Sequence, residues 1–275
     1  MVRHGHLNKT RVFLILVIGL VFSVYLAQSP SNNRDWAKDQ VLLPYAVFDG
    51  NEVAIKNIRN FAYYSESDYE PHYYDKVFDT NDLESVDYIV EPFGSMGAAH
   101  TFLSFGFGNG SYVAISVEIR KETGESFSPL KGLFRAYELM YVIADERDVI
   151  KLRANYRKHI VYLYPIELAP EKMRELFLSM LTRANKLRES PEFYNTLTNT
   201  CTTNIARHVN AVAPNAIPWD LRLILPRNSD ELAYELGLID QSISLQEART
   251  RFQINERARN YADDPDFSVR IRQPD

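Results

Sequence analysis

Apolar residues change their spacing several times along this chain, and each change marks a different element. Val12 to Ala27 is a continuous apolar run, broken only by Gly19 and Ser23. At the helical rise it covers about 24 Å, which reaches across a bilayer core once flanking residues are counted. Arg3, Lys9 and Arg11 precede it. A basic leader before such a run describes a signal-anchor or a secretory signal. Tyr25 occupies a position where cleavage favours a small residue, so the anchor is preferred. The charges hold the N-terminus in the cytoplasm and send the remainder across the membrane. The predicted organisation is an anchor over 1–28, a polar linker over 29–44, and one domain over 45–275.

Beyond the linker the spacing becomes that of strands. Ala46 to Tyr64 alternates in the manner of one or two strands, and Val86 to Val90 is a short apolar strand closed by Pro92. The tyrosine-rich, acidic stretch between them, Tyr63 to Asp82, reads as a surface loop. The clearest unit is a hairpin: His100 to Phe107, a turn at Gly108-Asn109-Gly110, then Ser111 to Glu118. A turn centred on Asn109 makes paired positions sum to about 218 and sets His100 opposite Glu118. Leu103, Phe105, Phe107, Val113, Ile115 and Val117 then form a core stripe. The other face carries His100, Phe102, Ser104, Tyr112, Ala114, Ser116 and Glu118, and is the one on which a site is expected.

Leu133 to Val142 and Asp145 to Tyr156 read as two strands joined by a charged turn with a solvated face. Pro165 to Leu187 is a helix, with Met173, Leu176, Phe177, Met180, Leu181 and Ala184 at helical spacing. A second helix begins near Cys201 and ends before Pro214. Pro218 to Leu225 suggests a buried connector, Ser229 to Leu238 a short helix closed by Gly237, and the polar C-terminal residues a wrap around the domain. The pattern predicts an α+β fold, an antiparallel sheet packed on helices.

Composition narrows the function classes. The chain of 275 residues has 31 basic and 36 acidic side chains, which gives no footprint for nucleic acid. Its one cysteine precludes an internal disulfide. The histidines lack metal-ligand spacing, and no cofactor motif is present: Gly106-x-Gly108-x-Gly110 is a hairpin turn with no helix after it.

Cys201 is the chemical candidate. Thr198, Asn199 and Thr200 before it are helix N-cap types, and Ile205 to Asn210 continues as a helix. A thiol there feels the positive end of the helix dipole and adjacent N–H donors, which favour the nucleophilic thiolate. The alternative is a small buried hydrophobe. If the site is real, His100 comes within about 4 Å of the sulfur as base, and Glu118 orients the imidazole. Phe102 and Tyr112, with Tyr63 and Tyr64, are the candidates to line an apolar substrate groove.

A helix-terminal cysteine, a histidine opening a strand and a polar residue on the next strand together resemble the papain-like thiol arrangement, here with histidine and acid ahead of cysteine as in its circularly permuted members. More narrowly, the chain resembles the periplasmic-domain family named after the lipoprotein N-acyltransferase Lnb. The matching segments are Asn57-Ile-Arg-Asn-Phe61, His100-Thr-Phe-Leu-Ser-Phe105, Ser116-Val-Glu-Ile-Arg120, Tyr137-Glu-Leu-Met-Tyr-Val142, Asp145-Glu-Arg-Asp148, Asn195 to Thr203 and Phe267-Ser-Val-Arg-Ile-Arg272. The resemblance implies a permuted papain-like (NlpC-type) domain with Cys201 as nucleophile, His100 as base and Glu118 as orienting acid. It further implies a lipid or lipoprotein substrate, a bacterial inner-membrane location with the domain in the periplasm, and acyl transfer through a thioester. A papain-like hydrolase of envelope amides and a non-catalytic envelope scaffold are the alternatives. The acyl donor, the acceptor and the oligomeric state are left open.

Overall fold

The computed structural model describes residues 9–94 and 97–273. Arg3 lies outside the described residues. Helix α1 (Lys9–Ala27) is 19 residues long, with Phe13, Leu14, Ile15, Leu16 and Leu20 exposed. Among the described residues no helix is long and apolar enough to cross a membrane.

The segment expected to be a linker is instead a strap on the domain. Trp36 is buried under the Arg120 guanidinium, 4.1 Å from the ring centroid. Arg120 also donates to Asn32 Oδ1 and to the carbonyls of Gln40 and Val41. Polar groups that suit a free linker here satisfy a buried arginine side chain.

The strands follow in chain order as β1 (Tyr45–Asp49), β2 (Glu52–Arg59), β3 (Ala62–Tyr63), β4 (Tyr69–Glu70), β5 (Tyr73–Asp79), β6 (Leu83–Pro92), β7 (Ala99–Phe107), β8 (Tyr112–Arg120), β9 (Glu138–Ala144) and β10 (Tyr162–Pro165). The short helix α2 (Pro129–Leu133) precedes β9, and α3 (Glu146–Lys151) follows it and runs into a π-helical turn, Leu152–Tyr156. Then come α4 (Pro170–Glu189), α5 (Cys201–Val212), α6 (Ser229–Glu235), α7 (Leu245–Phe252), α8 (Asn255–Asn260) and α9 (Phe267–Arg270).

Eight strands form one sheet in the order β1-β2-β9-β8-β7-β6-β10, with β5 paired to β2. Neighbours are antiparallel except β2 and β9, which meet in parallel at Arg59 and Ala144, so the sheet is mixed. The predicted hairpin has the predicted register: the β7–β8 ladder pairs Phe102 with Ser116 and Gly106 with Tyr112.

Each sheet face has its own cover. On one, Leu103, Phe105, Val113 and Ile115 pack with Phe177, Met180 and Leu181 of α4. On the other, Phe102, Ala114 and Met140 pack with Val149 and Ile150 of α3 and with Ile254, Ala258, Phe267 and Ile271. The polar C-terminal residues therefore wrap the domain, and they close most of the face on which an open site was expected. The end bearing His100 and Glu118 stays partly exposed.

Three sequence expectations are corrected. The loop over Tyr63 to Asp82 contains β5, whose Phe78 is buried against the core. Asp145 to Tyr156 is helical rather than a strand. The Asp145 side chain caps α3 by accepting from Arg147 N, and the charges that suggested solvent are buried ion pairs: Asp148 with Arg59, Glu146 with Arg272, Arg153 with Glu91. The connector after Pro218 is buried only in part: Leu223 packs on Ala206 and Leu232, whereas Trp219, Leu221 and Leu225 are exposed.

Candidate active site

The thiol loop is held by its own amides and hydroxyls, which is why so polar a stretch adopts one shape. Asn195 Oδ1 accepts from Leu197 N and Thr198 N at 3.0 and 3.1 Å, and Asn199 Nδ2 donates to Phe193 O at 2.9 Å. Thr200 and Thr203 form a reciprocal capping box, so Cys201 becomes the first residue of α5. Thr202 Oγ1 lies 2.9 Å from Thr101 Oγ1 and ties that turn to β7, one residue beyond His100.

Burial pushes the Cys201 thiol up. The hydrogen bond and charge of His100, with the Thr101 N–H and the Thr202 hydroxyl, more than reverse this and bring it down to about 6. His100 and Cys201 line the same cavity.

His100 Nε2 lies 2.7 Å from Ser116 Oγ, and Ser116 Oγ donates to Glu118 Oε1 at 2.9 Å. Glu118 is itself 3.7 Å from His100 Nε2 and 3.0 Å from Arg153 Nη2. Burial alone would raise the Glu118 carboxyl, but Arg153, His100 and Arg59 hold it far below the usual carboxylate range. The geometry then assigns the protons. An ionised Glu118 only accepts, so the single Ser116 hydroxyl proton points to it and Nε2–H donates to Ser116 Oγ. The basic nitrogen left for the thiol is Nδ1.

A second carboxylate flanks the imidazole. Glu91 on β6 is the cross-strand partner of His100; it forms an ion pair with Arg153 Nε and a hydrogen bond with His159 Nδ1, each at 2.7 Å. Burial would raise Glu91, and Arg153 with His159 keeps it lowered. Arg153 therefore links the buried Glu91 and the part-buried Glu118. Ser116, Glu91 and Arg153 were not singled out as site residues. Ser116 was visible as the residue between His100 and Glu118 on one hairpin face, whereas Arg153 sat in the charged stretch read as solvated.

Glu91, His100, Glu118 and Arg153 line a cavity of about 330 Å³ that reaches Cys201. Phe127 and Tyr194 bound it beside the thiol loop, and Phe93, Arg157 and His159 bound it elsewhere. None of the four predicted lining residues reaches it. Phe102 is buried beneath His100, with ring centroids 5.7 Å apart, because the wrap covers that face. Tyr112 lies under Arg272 at the far end of the hairpin, 3.8 Å from its guanidinium. Tyr63 is buried with its hydroxyl on Asp148, and exposed Tyr64 bonds Glu70.

Fold and site together define an α+β domain in which a single low-pKa thiol stands beside a histidine oriented by a serine–glutamate pair. The chain belongs to the family of Lnb N-terminal periplasmic domains: residues 69–227, more than half of its length, match that family. Membership implies a periplasmic placement. No curated protein and no solved structure matches the chain.

Proposed function

We propose that the protein is a membrane-anchored periplasmic thiol acyltransferase acting on lipid or lipoprotein acyl chains through a Cys201 thioester. The observation that carries the reading is the Cys201–His100–Ser116–Glu118 alignment at the start of α5. The Cys201 thiolate attacks an ester carbonyl, forming the S–C bond while the carbonyl electrons move to oxygen. The cap already uses the Thr203 N–H, so the N–H groups of Cys201 and Thr202 are the donors for that oxyanion. Collapse expels an alkoxide that takes its proton from His100, leaving the thioester. An amine then attacks the thioester, His100 removes its proton, and amide and thiolate are formed. Within the cavity, Phe127 and Tyr194 suit an acyl chain, and Arg157 and His159 suit the polar part of the donor or acceptor. The anchoring part of the reading rests on the sequence, a basic leader before the apolar run Val12 to Ala27, and not on the length of α1.

The charged part of the cavity favours a second reading, a papain-like hydrolase of an envelope amide with water as acceptor. Purified chain in detergent, given a diacylated lipopeptide, is expected to yield an N-acylated lyso-lipopeptide by mass spectrometry, together with an acyl adduct on Cys201. Free fatty acid alone, or cleavage of peptidoglycan stem peptides, would replace transfer by hydrolysis.

A further inference from the structure

Apolar side chains gather beside the thiol loop and face outward. Phe127, Leu130 and Phe134, on and around α2, are 43%, 66% and 59% exposed, and Leu197 in the thiol loop is 50% exposed. The two segments are pressed together. Thr196 Oγ1 donates to Pro129 O at 2.7 Å, and a Cβ at Gly132 would meet the Tyr194 ring at 2.9 Å and Thr196 Oγ1 closer still. Such a contiguous patch on a soluble surface marks a contact with something apolar.

What covers it follows from α1, whose last turn reaches the same place. Arg135, directly after Phe134, donates to Tyr25 O at 3.3 Å. Its guanidinium sits 4.5 Å from the Tyr25 ring centroid and 5.7 Å from that of Phe193. Arginine and tyrosine at the end of an apolar helix are the side chains of a membrane–water interface. With α1 in the bilayer, Tyr25 lies at headgroup depth, and α2 lies beside it.

We infer that α2 and Leu197 insert into the interfacial layer of the bilayer, packing on lipid chains just below the headgroups. Phe127 belongs both to this patch and to the cavity wall, so the cavity opens at the membrane surface and a lipid-borne acyl group reaches Cys201 without leaving the bilayer. The inference rests on the membrane placement of α1 in the proposed function, and not on the thiol chemistry.

The test uses the full chain in vesicles of phosphatidylethanolamine and phosphatidylglycerol, with Trp219→Phe lowering the background emission. Leu130→Trp and Phe134→Trp are compared with Val77→Trp, on edge strand β5, whose side chain is 56% exposed. The expected result is blue-shifted emission at positions 130 and 134, quenched about twofold by lipids brominated high in the acyl chain, with position 77 unaffected. Unquenched emission at 130 and 134, in protein that resists an alkaline carbonate wash, overturns the inference while leaving α1 anchored. Release by the wash overturns the anchor and the inference with it. Blue-shifted but unquenched emission with a cross-linked dimer would assign the patch to a second copy and likewise overturn it.

Discussion

The His100 imidazole and the Glu118 carboxylate stand 3.7 Å apart across one hairpin, and the Ser116 hydroxyl lies between them, 2.7 Å from one and 2.9 Å from the other. Orientation of the ring therefore passes through a neutral hydroxyl as well as through charge. Glu118→Gln is expected to leave far-UV circular dichroism unchanged and to lower turnover by about tenfold or more. Ser116→Ala, which frees the ring to rotate, is expected to lower kcat with KM little changed. Full activity in both variants would mean that another group holds the histidine.

Alkylation of the thiol gives the pH dependence directly. Only the thiolate reacts, so a thiol lowered to about 6 makes the iodoacetamide rate climb as pH rises through that value. In His100→Asn the lowering charge is gone while burial remains, and the midpoint is expected to move up from about 6 toward the ordinary thiol value of 9, with the Thr101 N–H and Thr202 hydroxyl still favouring the thiolate. A midpoint unmoved by the substitution would remove His100 from the site.

His208 gives a stability prediction. It is buried between Tyr141 Oη and Ser179 Oγ, at 2.7 and 2.8 Å, and burial, aided by the charges of Arg183 and Arg207, lowers it from 6.5 to about 4. The unfolded chain takes up this proton first as pH falls. Stability is thus full above 6.5, declines toward pH 4, and is lowered by up to roughly 3 kcal/mol below it. His208→Gln is expected to flatten that part of a urea-denaturation series against pH; an unchanged slope would place the effect elsewhere.

Gly132→Ala tests the seam between α2 and the thiol loop. Alanine favours a helix over glycine by about 1 kcal/mol, but the added Cβ collides with Tyr194 and Thr196. Overpacking of this kind costs about 1–3 kcal/mol, so a lower melting temperature and slower Cys201 alkylation are expected together. A raised melting temperature would show that the seam is loose.

Local chemistry was legible where one residue's neighbours in sequence are also its neighbours in space. The β7–β8 register followed from a three-residue turn, the start of α5 from three cap residues, and the buried face of α4 from helical spacing. The charges were not legible. Arg153, Glu146 and Asp148 look solvated because sequence shows them only beside one another. Their partners Glu91, Arg272 and Arg59 lie far away along the chain, and nothing in a local window distinguishes a buried pair from a wet surface. The lining tyrosines failed for a related reason: the alternation that places a residue on a face does not tell whether another segment will lie over that face.

Arg272 pairs with Asp87 at 2.7 Å and with Glu146 at 2.6 Å, both carboxylates being buried. The residues of an exported domain cross the membrane in order of sequence. The two acids therefore reach the far side well before the guanidinium that neutralises them, and the strand and helix carrying them cannot close over bare charge. The second face of the sheet, with the cover over Phe102 beneath His100, is then assembled only after Arg272 has passed through. Until that moment the half of the domain that carries Cys201 has no finished floor under His100.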